Sequence, residues 1–432
     1  MRASGCCGKR VQNKYYFGAV GKVGRSEMLA EENIKLYSYR WLVLLVFMFI
    51  ASMTQLLWIT FAPITGTAAQ FFGTSDLMVG LLSMCFMVVY IIMVLPSAWV
   101  IDTYGFRVAV SIGAVLTAIF ALTRGLFAAN YTIVFASQIG IAIGQPLVIG
   151  SITKVAARWF PINERATASG LGTLAMYLGI LVAMILTPYL TIKLGIKVML
   201  ILYGIVSAIA ASGFIIFARE KPRTPPCPPG HEQRVLMLDG LKQMLRQRDF
   251  ILLLIIFFVG LGMFNGLSTW IENIVRPRGF SISQAGMLGG LMLIGGIVGA
   301  VVIPLLSDKY RKRKFFMLLS LVALIPGLFG ITFSNSYWLL LLSGFTFGFF
   351  LLSAGPIGFQ YGAEITYPAP EGTSNSLLLV MGQISGIVFI FGMDILKSPE
   401  TGSMTLSLLM LIALNIVSIV LCTLLKESQL KA

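Results

Sequence analysis

The chain has 432 residues, 57% of them apolar and 11% charged, with a mean hydropathy of +0.88 and a formal net charge of +15. So little charge cannot cover the surface of a water-soluble protein of this length, so a soluble globular class is excluded. The basic excess does not point to nucleic acid, because nearly all of it falls between the apolar runs.

In chain order, residues 1–40 come first, with eight Lys/Arg, three Glu and no long apolar run. They read as a basic cytosolic tail and not as a cleavable signal peptide. Twelve apolar spans follow, each near the roughly 20 residues that cross a bilayer core of roughly 30 Å. They are expected at 41–66, 77–97, 107–128, 131–152, 166–188, 196–217, 250–273, 283–306, 314–333, 336–358, 371–396 and 402–425. With the N-terminus inside, 26 of the 32 Lys/Arg fall on the inner side. The outer six are Arg124, Lys193, Lys197, Arg276, Arg278 and Lys397. The positive-inside rule therefore puts both termini in the cytoplasm, most simply at the plasma membrane.

The spans divide into bundles at 41–217 and 250–425, joined by a linker at 218–249 and followed by a tail at 426–432. The linker opens on a proline-rich run, Lys221 to His231, that cannot be helical. From 233 to 248, Val235, Leu236, Leu238, Leu241, Met244 and Leu245 stand among basic residues, as in an amphipathic helix on the inner leaflet. The lone histidine, His231, lies near Cys227-Pro228, which is either a haem-binding pair or plain linker. The five cysteines (Cys6, Cys7, Cys85, Cys227, Cys422) have no metal-ligand spacing and no obvious disulfide partners. Cys6-Cys7 also suits acylation. No metal or cofactor is expected.

Two short charged segments interrupt the apolar pattern at matching places. Asp102, Gly105 and Arg107 lie between spans 2 and 3; Asp308, Lys309 and Arg311 lie between spans 8 and 9, with the aspartates 206 positions apart. Pro161, Glu164 and Gly179 recur as Pro368, Glu371 and Gly386 at an offset of 207. This is a parallel repeat of a six-span unit. The hairpins resemble the signature loop of the major facilitator superfamily, Gly-x-x-x-Asp-Arg/Lys-x-Gly-Arg-Arg/Lys. The first copy departs from it at Ala98, Thr103 and Phe106, the second at Pro304 and Arg311. The resemblance implies an all-α membrane protein with the twelve-helix major facilitator fold. In that fold two six-helix bundles are related by a pseudo-two-fold axis and work by alternating access.

Residues 164–169 and 371–376 look like the starts of spans 5 and 11, and a helix start carries free N–H groups and partial positive charge. Asp102 is expected to rest on the start marked by Glu371, and Asp308 on the start marked by Glu164, closing the inner face. Gly105, Arg107 and Arg311 complete these gating hairpins. Membrane-embedded carboxylates are functional candidates by default, which singles out Glu272 and Asp394 for proton or solute coupling. Amides in hydrocarbon need a partner, either another helix or a cargo. Gln145, Asn265 and Gln383 are such amides. Trp58 lies in span 1 before Pro63, and its counterpart at the repeat offset is Phe264. In this fold the first and fourth helices of each half line the cavity. Trp58, Gln145, Phe264 and Asn265 are therefore expected to converge there, with Tyr177, Tyr90 and Trp270 nearby. A π face with amides suits a cation or a flat heterocycle. Glycines of span 8, from Gly286 to Gly299, make a small-residue seam, and Pro63, Pro146, Pro188, Pro326 and Pro356 are places to kink.

Tyr39-Arg40-Trp41, Trp58-Ile-Thr-Phe-Ala-Pro63, Leu95 to Arg107, Gly144 to Pro161, and Ala363 to Thr373 with Gly382-Gln383 resemble solute carrier family 49. That is the branch named for the feline leukaemia virus subgroup C receptor. The resemblance covers about 39–425 and implies a cargo among haem, choline and ethanolamine, and vitamin B6 compounds. The aromatic-and-amide cage of the family's choline carriers matches Trp58, Gln145 and Gln383. A tyrosine of that cage falls at Asn265, and Glu272 stands at a neutral position. No nucleotide-binding loop is present. The expectation is a monomeric secondary transporter for a small organic solute, driven by the solute gradient or by a coupled ion such as the proton. The alternative is a non-transporting membrane receptor or sensor that binds a small ligand or a protein partner. No His/Cys/carboxylate cluster supports a membrane enzyme.

Overall fold

The computed structural model describes residues 37–222, 244–366 and 371–427. Residues 1–36 of the basic tail, with Cys6 and Cys7, most of the expected amphipathic helix, Cys227, His231 and the side chain of Glu371 lie outside the described residues.

Apolar runs separated by short polar breaks become helices whose ends are fixed locally. The first is α1 (Tyr39–Ile59), followed by a 3-10 turn (Ala62–Ile64) and α2 (Thr65–Phe72). Pro63 has no N–H to continue the ladder, so span 1 breaks where proline sits. Then come α3 (Asp76–Tyr104), α4 (Phe106–Leu126), α5 (Tyr131–Ile149) and α6 (Ile152–Trp159). The Ser75 side chain accepts from the Met78 N–H and that of Asn130 from the Ile133 N–H, so α3 and α5 start at satisfied caps. The long α7 (Ile162–Phe217) is two crossings, because Gly195 inside it has φ 80° and ψ 162°. The second half repeats the plan with α8 (Arg248–Thr269), α9 (Ile271–Val275), α10 (Ile282–Tyr310), α11 (Arg313–Phe333), α12 (Tyr337–Thr366), α13 (Glu371–Ile395) and α14 (Thr405–Leu424). Ser281 and Gln284 form a reciprocal capping box at the start of α10.

Eleven stretches among the described residues are long and apolar enough to cross a membrane. The break at Gly195 makes the longest of them two, which gives twelve crossings. The boundaries differ from expectation in one informative way. Asp102 and Asp308 are not in loops but in the last turns of α3 and α10, which run on to Tyr104 and Tyr310.

The repeat is visible in bonds as well as in sequence. The Arg107 N–H donates to Glu220 at 2.8 Å, and the Lys314 N–H donates to Glu427 at 3.0 Å, each across 113 residues. The Trp159 indole N–H donates to the Arg219 carbonyl, and the Tyr361 hydroxyl to that of Lys426. Both halves thus close the same end of the bundle in the same way. That end carries both termini of the described chain and is called the basic face here; the opposite end is the far face.

The halves meet along two seams, α3 with α13 and the first part of α7 with α10, which the pseudo-two-fold exchanges. The glycines of α10 serve two neighbours. Gly286, Gly289 and Gly290 lie against Met184, Ile185 and Pro188 of the other half, while Gly295, Gly296 and Gly299 lie against Phe345, Leu352 and Phe349 of α12. With no side chain there, backbones approach closely where lipid offers no hydrophobic drive.

Candidate functional site

At the far face, a set of charged residues joins the two halves. Asp76, in the first turn of α3, accepts hydrogen bonds from Asn273 at 2.8 Å, from Lys397 at 2.6 Å and from both terminal nitrogens of Arg276. Glu272 is 3% exposed; it accepts from the Gly66 N–H at 3.1 Å and stands 3.5 Å from the Arg276 guanidinium. Burial disfavours the Arg276 charge, but the Asp76 hydrogen bond and the two carboxylates outweigh it, so its pKa is raised. Two acids and two bases satisfy each other across the boundary between the halves. The Trp270 indole is fully buried beside them, lies over Gly80 of the other half and donates to the Ile390 carbonyl. The far side is shut.

The basic face is wired differently. Asp102 is paired with Lys154 at 2.7 Å, and its side chain is 79% exposed. Asp308 is paired with Arg313, which also reaches Glu364 at 3.3 Å. Arg40 meets Glu164 at 3.0 Å. Each of these pairs stays within one half. Arg107 is exposed, and so is Arg311. Asp102 and Asp308 thus each have an ion-pair partner in their own half, Lys154 and Arg313.

Between these faces stand the expected binding residues. Trp58, in the last turn of α1, is 7% exposed; its indole N–H donates to the Ser83 carbonyl at 3.1 Å. Gln145 on α5 is buried and Gln383 on α13 half-buried, and neither makes a hydrogen bond to a described residue. Neither amide belongs to the sealed, orphaned polar atoms, so both keep access to open space. Asn265 is different: its amide donates to the Gly382 carbonyl at 3.1 Å, next to Gln383. Phe264 is buried beside it. Gly386 faces both Asn265 and Met87, so α8, α13 and α3 converge there. Tyr177 and Tyr90 are half-buried. Trp270 does not join this group, because it is sealed in the far-side closure. Asp394 is half-buried and makes no ion pair among the described residues.

Sequence reasoning missed Asp76, Asn273, Gly66 and Lys397 as partners of Arg276 and Glu272. The available signal was an acid one residue inside a Ser-capped helix start, opposite an Arg-rich break. It also counted Arg124 among the outer-loop charges, whereas the residue is 0% exposed inside the first half.

The Major Facilitator Superfamily model matches residues 43–390. "Solute carrier family 49 member A3" of Xenopus tropicalis is 31% identical over 388 residues, covering 85% of this chain and 80% of that protein. The chain belongs to the major facilitator superfamily, in solute carrier family 49. "Choline/ethanolamine transporter FLVCR2" of Homo sapiens is 28% identical, over 82% of this chain and 72% of that one. Among solved structures, a bacterial homolog of the human lysosomal transporter Spinster, inward-facing and unoccupied, has a TM-score of 0.73 at 17% identity, covering 92% of this chain and 99% of that one. A D-xylose-proton symporter has a TM-score of 0.71 at 14% identity, over 91% and 99% of the two chains. The fold is that of these carriers, and this family member is a secondary transporter for a small organic solute.

Proposed function

We propose that this transporter moves an amine of the choline or ethanolamine class by alternating access, through a site between Trp58, Gln145, Asn265, Phe264 and Gln383, with Tyr177 at its edge. The observation that carries the site is the pair of unbonded amides, Gln145 and Gln383, in opposite halves. An amide inside a membrane protein without a partner is costly, so free amides with access to space suit a cargo that bonds both halves at once. The Trp58 π face adds attraction for a quaternary or primary ammonium. The names of the relatives support the same class.

The basic face is the cytosolic one, at the plasma membrane, and the carrier acts as a monomer. The charged cluster of Asp76, Arg276, Lys397 and Glu272 closes the outside in this state. Asp102, Gly105 and Arg107 with Glu371, and Asp308 and Arg311 with Glu164, close the inside in the opposite state. Glu272 and Asp394 are the candidate groups for coupling to protons.

A second reading has its own observation. Arg124 is a buried cation in the same half as Trp58, with no carboxylate among the described residues paired to it, and this favours a neutral heteroaromatic cargo of the pyridoxine kind over a permanent cation. Uptake of labelled choline and labelled pyridoxine into liposomes holding purified protein decides between them. Binding of either without uptake would instead make the protein a receptor.

A further inference from the structure

Three charged side chains are buried among the described residues: Glu272, Arg313 and Arg124. Glu272 has Arg276, and Arg313 has Glu364 and Asp308. Arg124 makes no ion pair with any described residue. Its guanidinium donates to the Leu57 carbonyl at 3.2 Å, to Gln138 Oε1 at 2.5 Å and to the Thr60 hydroxyl at 3.3 Å, and lies 5.7 Å from the Phe61 ring. Its Nε has no partner.

Stability does not call for such a residue. Taking a guanidinium out of water is costly even after relaxation, and neutral acceptors offset it poorly; an apolar side chain of similar length would fill the space at less cost. What the arginine adds is connectivity. Gln138, fixed by Arg124, donates from its amide nitrogen to the Leu82 carbonyl at 3.0 Å. The next residue, Ser83, accepts the Trp58 indole N–H through its carbonyl, and its hydroxyl donates to the Trp58 carbonyl at 3.3 Å. The Leu57 carbonyl belongs to the peptide bond that enters Trp58. The bonds therefore form a closed ring, from Arg124 to Gln138, to the Leu82–Ser83 backbone, to Trp58, to the Leu57 carbonyl and back to Arg124. It ties α4, α5, α3 and α1 together behind one indole.

The carbonyls at the end of α1 are available because the helix stops there before Pro63. A cation at a helix C-terminus is also favoured by the helix dipole. The break and the arginine are thus complementary.

We infer that Arg124 is a positioning residue for the solute site: through Leu57 and Gln138 it fixes the orientation of the Trp58 ring. The inference rests on the reading of Trp58 as part of that site.

The test uses the full chain, labelled with 5-fluorotryptophan and purified in detergent. Its six tryptophans give a resonance each, and Trp58→Phe identifies that of Trp58. Arg124→Met and Gln138→Leu are each expected to displace the Trp58 resonance and leave that of Trp338 in place. In liposomes they are expected to raise the KM for choline, by up to roughly 100-fold, with kcat changed less. Arg124→Lys, which can still reach the Leu57 carbonyl, is expected to recover part of the loss. A Trp58 resonance that stays in place in either folded variant overturns the inference. So does a displaced resonance with an unchanged choline KM when Trp58→Ala itself raises that KM. Should Trp58→Ala leave choline uptake unchanged, or should choline not be carried, the solute-site reading is the one that fails, and the resonance alone decides whether Arg124 holds the ring. If Arg124→Met does not fold, Gln138→Leu decides, because it breaks the relay and keeps the arginine.

Discussion

The Gly66 N–H donates to Glu272 Oε2 at 3.1 Å, and that bond crosses from one half of the molecule to the other. Gly66 lies in the first turn of α2, just past the break in span 1, where N–H groups are free of the helix ladder. Glu272 fills that need from the opposite half and is itself balanced by Arg276. Because Gly66 and Asp76 belong to one half and Glu272, Asn273, Arg276 and Lys397 to the other, opening the far side must break the bonds between them together. This makes the closure switch-like.

Asp76 is the hub of that closure, so Asp76→Ala is expected to shift the carrier toward the state open at the far face. A hydrogen bond to a charged group is worth about 1.5–3 kcal/mol, so losing even one moves the balance by tenfold or more. Spin labels at the exposed Phe71 and Trp338 are expected to show a longer separation in the variant. An unchanged distance distribution would remove Asp76 from the gate.

Gly66→Ala acts on the same closure through shape. A Cβ there would stand 2.0 Å from an Arg276 terminal nitrogen and 3.2 Å from Glu272 Oε1. The guanidinium is the end of a flexible side chain and can retreat, so the expected cost is about 1 kcal/mol, smaller than for Asp76→Ala. The same spin-label pair is expected to show an intermediate shift.

Glu272→Gln keeps an acceptor for the Gly66 N–H and removes the charge facing Arg276, Asp76 and Lys397. Uptake by the variant is expected to lose its dependence on external pH. A pH profile matching that of the unaltered protein would rule out coupling through this carboxylate.

Asp102→Asn is expected to slow turnover while leaving solute binding from the far side nearly unchanged, since Asp102 lies at the basic face and pairs with Lys154. Comparing kcat with the dissociation constant in a binding assay checks this. Equal changes in both would argue against a gating role.

Arg311 is the one described residue other than glycine with a positive φ, at 52°. It stands where the first copy of the hairpin has Gly105, itself at φ 84°. An L side chain in the left-handed region costs roughly 1–2 kcal/mol, part of which glycine gives back as chain entropy. Arg311→Gly is therefore expected to stabilise the protein by about 1 kcal/mol, seen as a higher melting temperature in detergent. A lower melting temperature would mean that the arginine side chain makes up for its strained backbone.

Much of this architecture was readable beforehand. The twelve spans, the repeat offset and the break at Pro63 depend on local chain chemistry, and the bonds from Arg107 to Glu220 and from Lys314 to Glu427 repeat at the offset that the sequence displays. The site was only partly readable. Gln145 and Gln383 stood out as amides in apolar runs, but nothing in their neighbourhoods says that Asn265 spends its amide on Gly382 while they remain free. Arg124 looked like a loop charge because it stands near the end of an apolar run.

The sequence by itself determined that this chain crosses a membrane as two copies of one six-span unit, because span length, charge bias and duplication are written in consecutive residues. Only the tertiary structure decided which charges meet. Asp76 finds Asn273 across 197 residues and Lys397 across 321, and a contact of that range depends on how two whole bundles lean against each other. The choice between a shut outer side and a shut inner side is a balance between such contacts, and no single stretch of chain contains both terms of it.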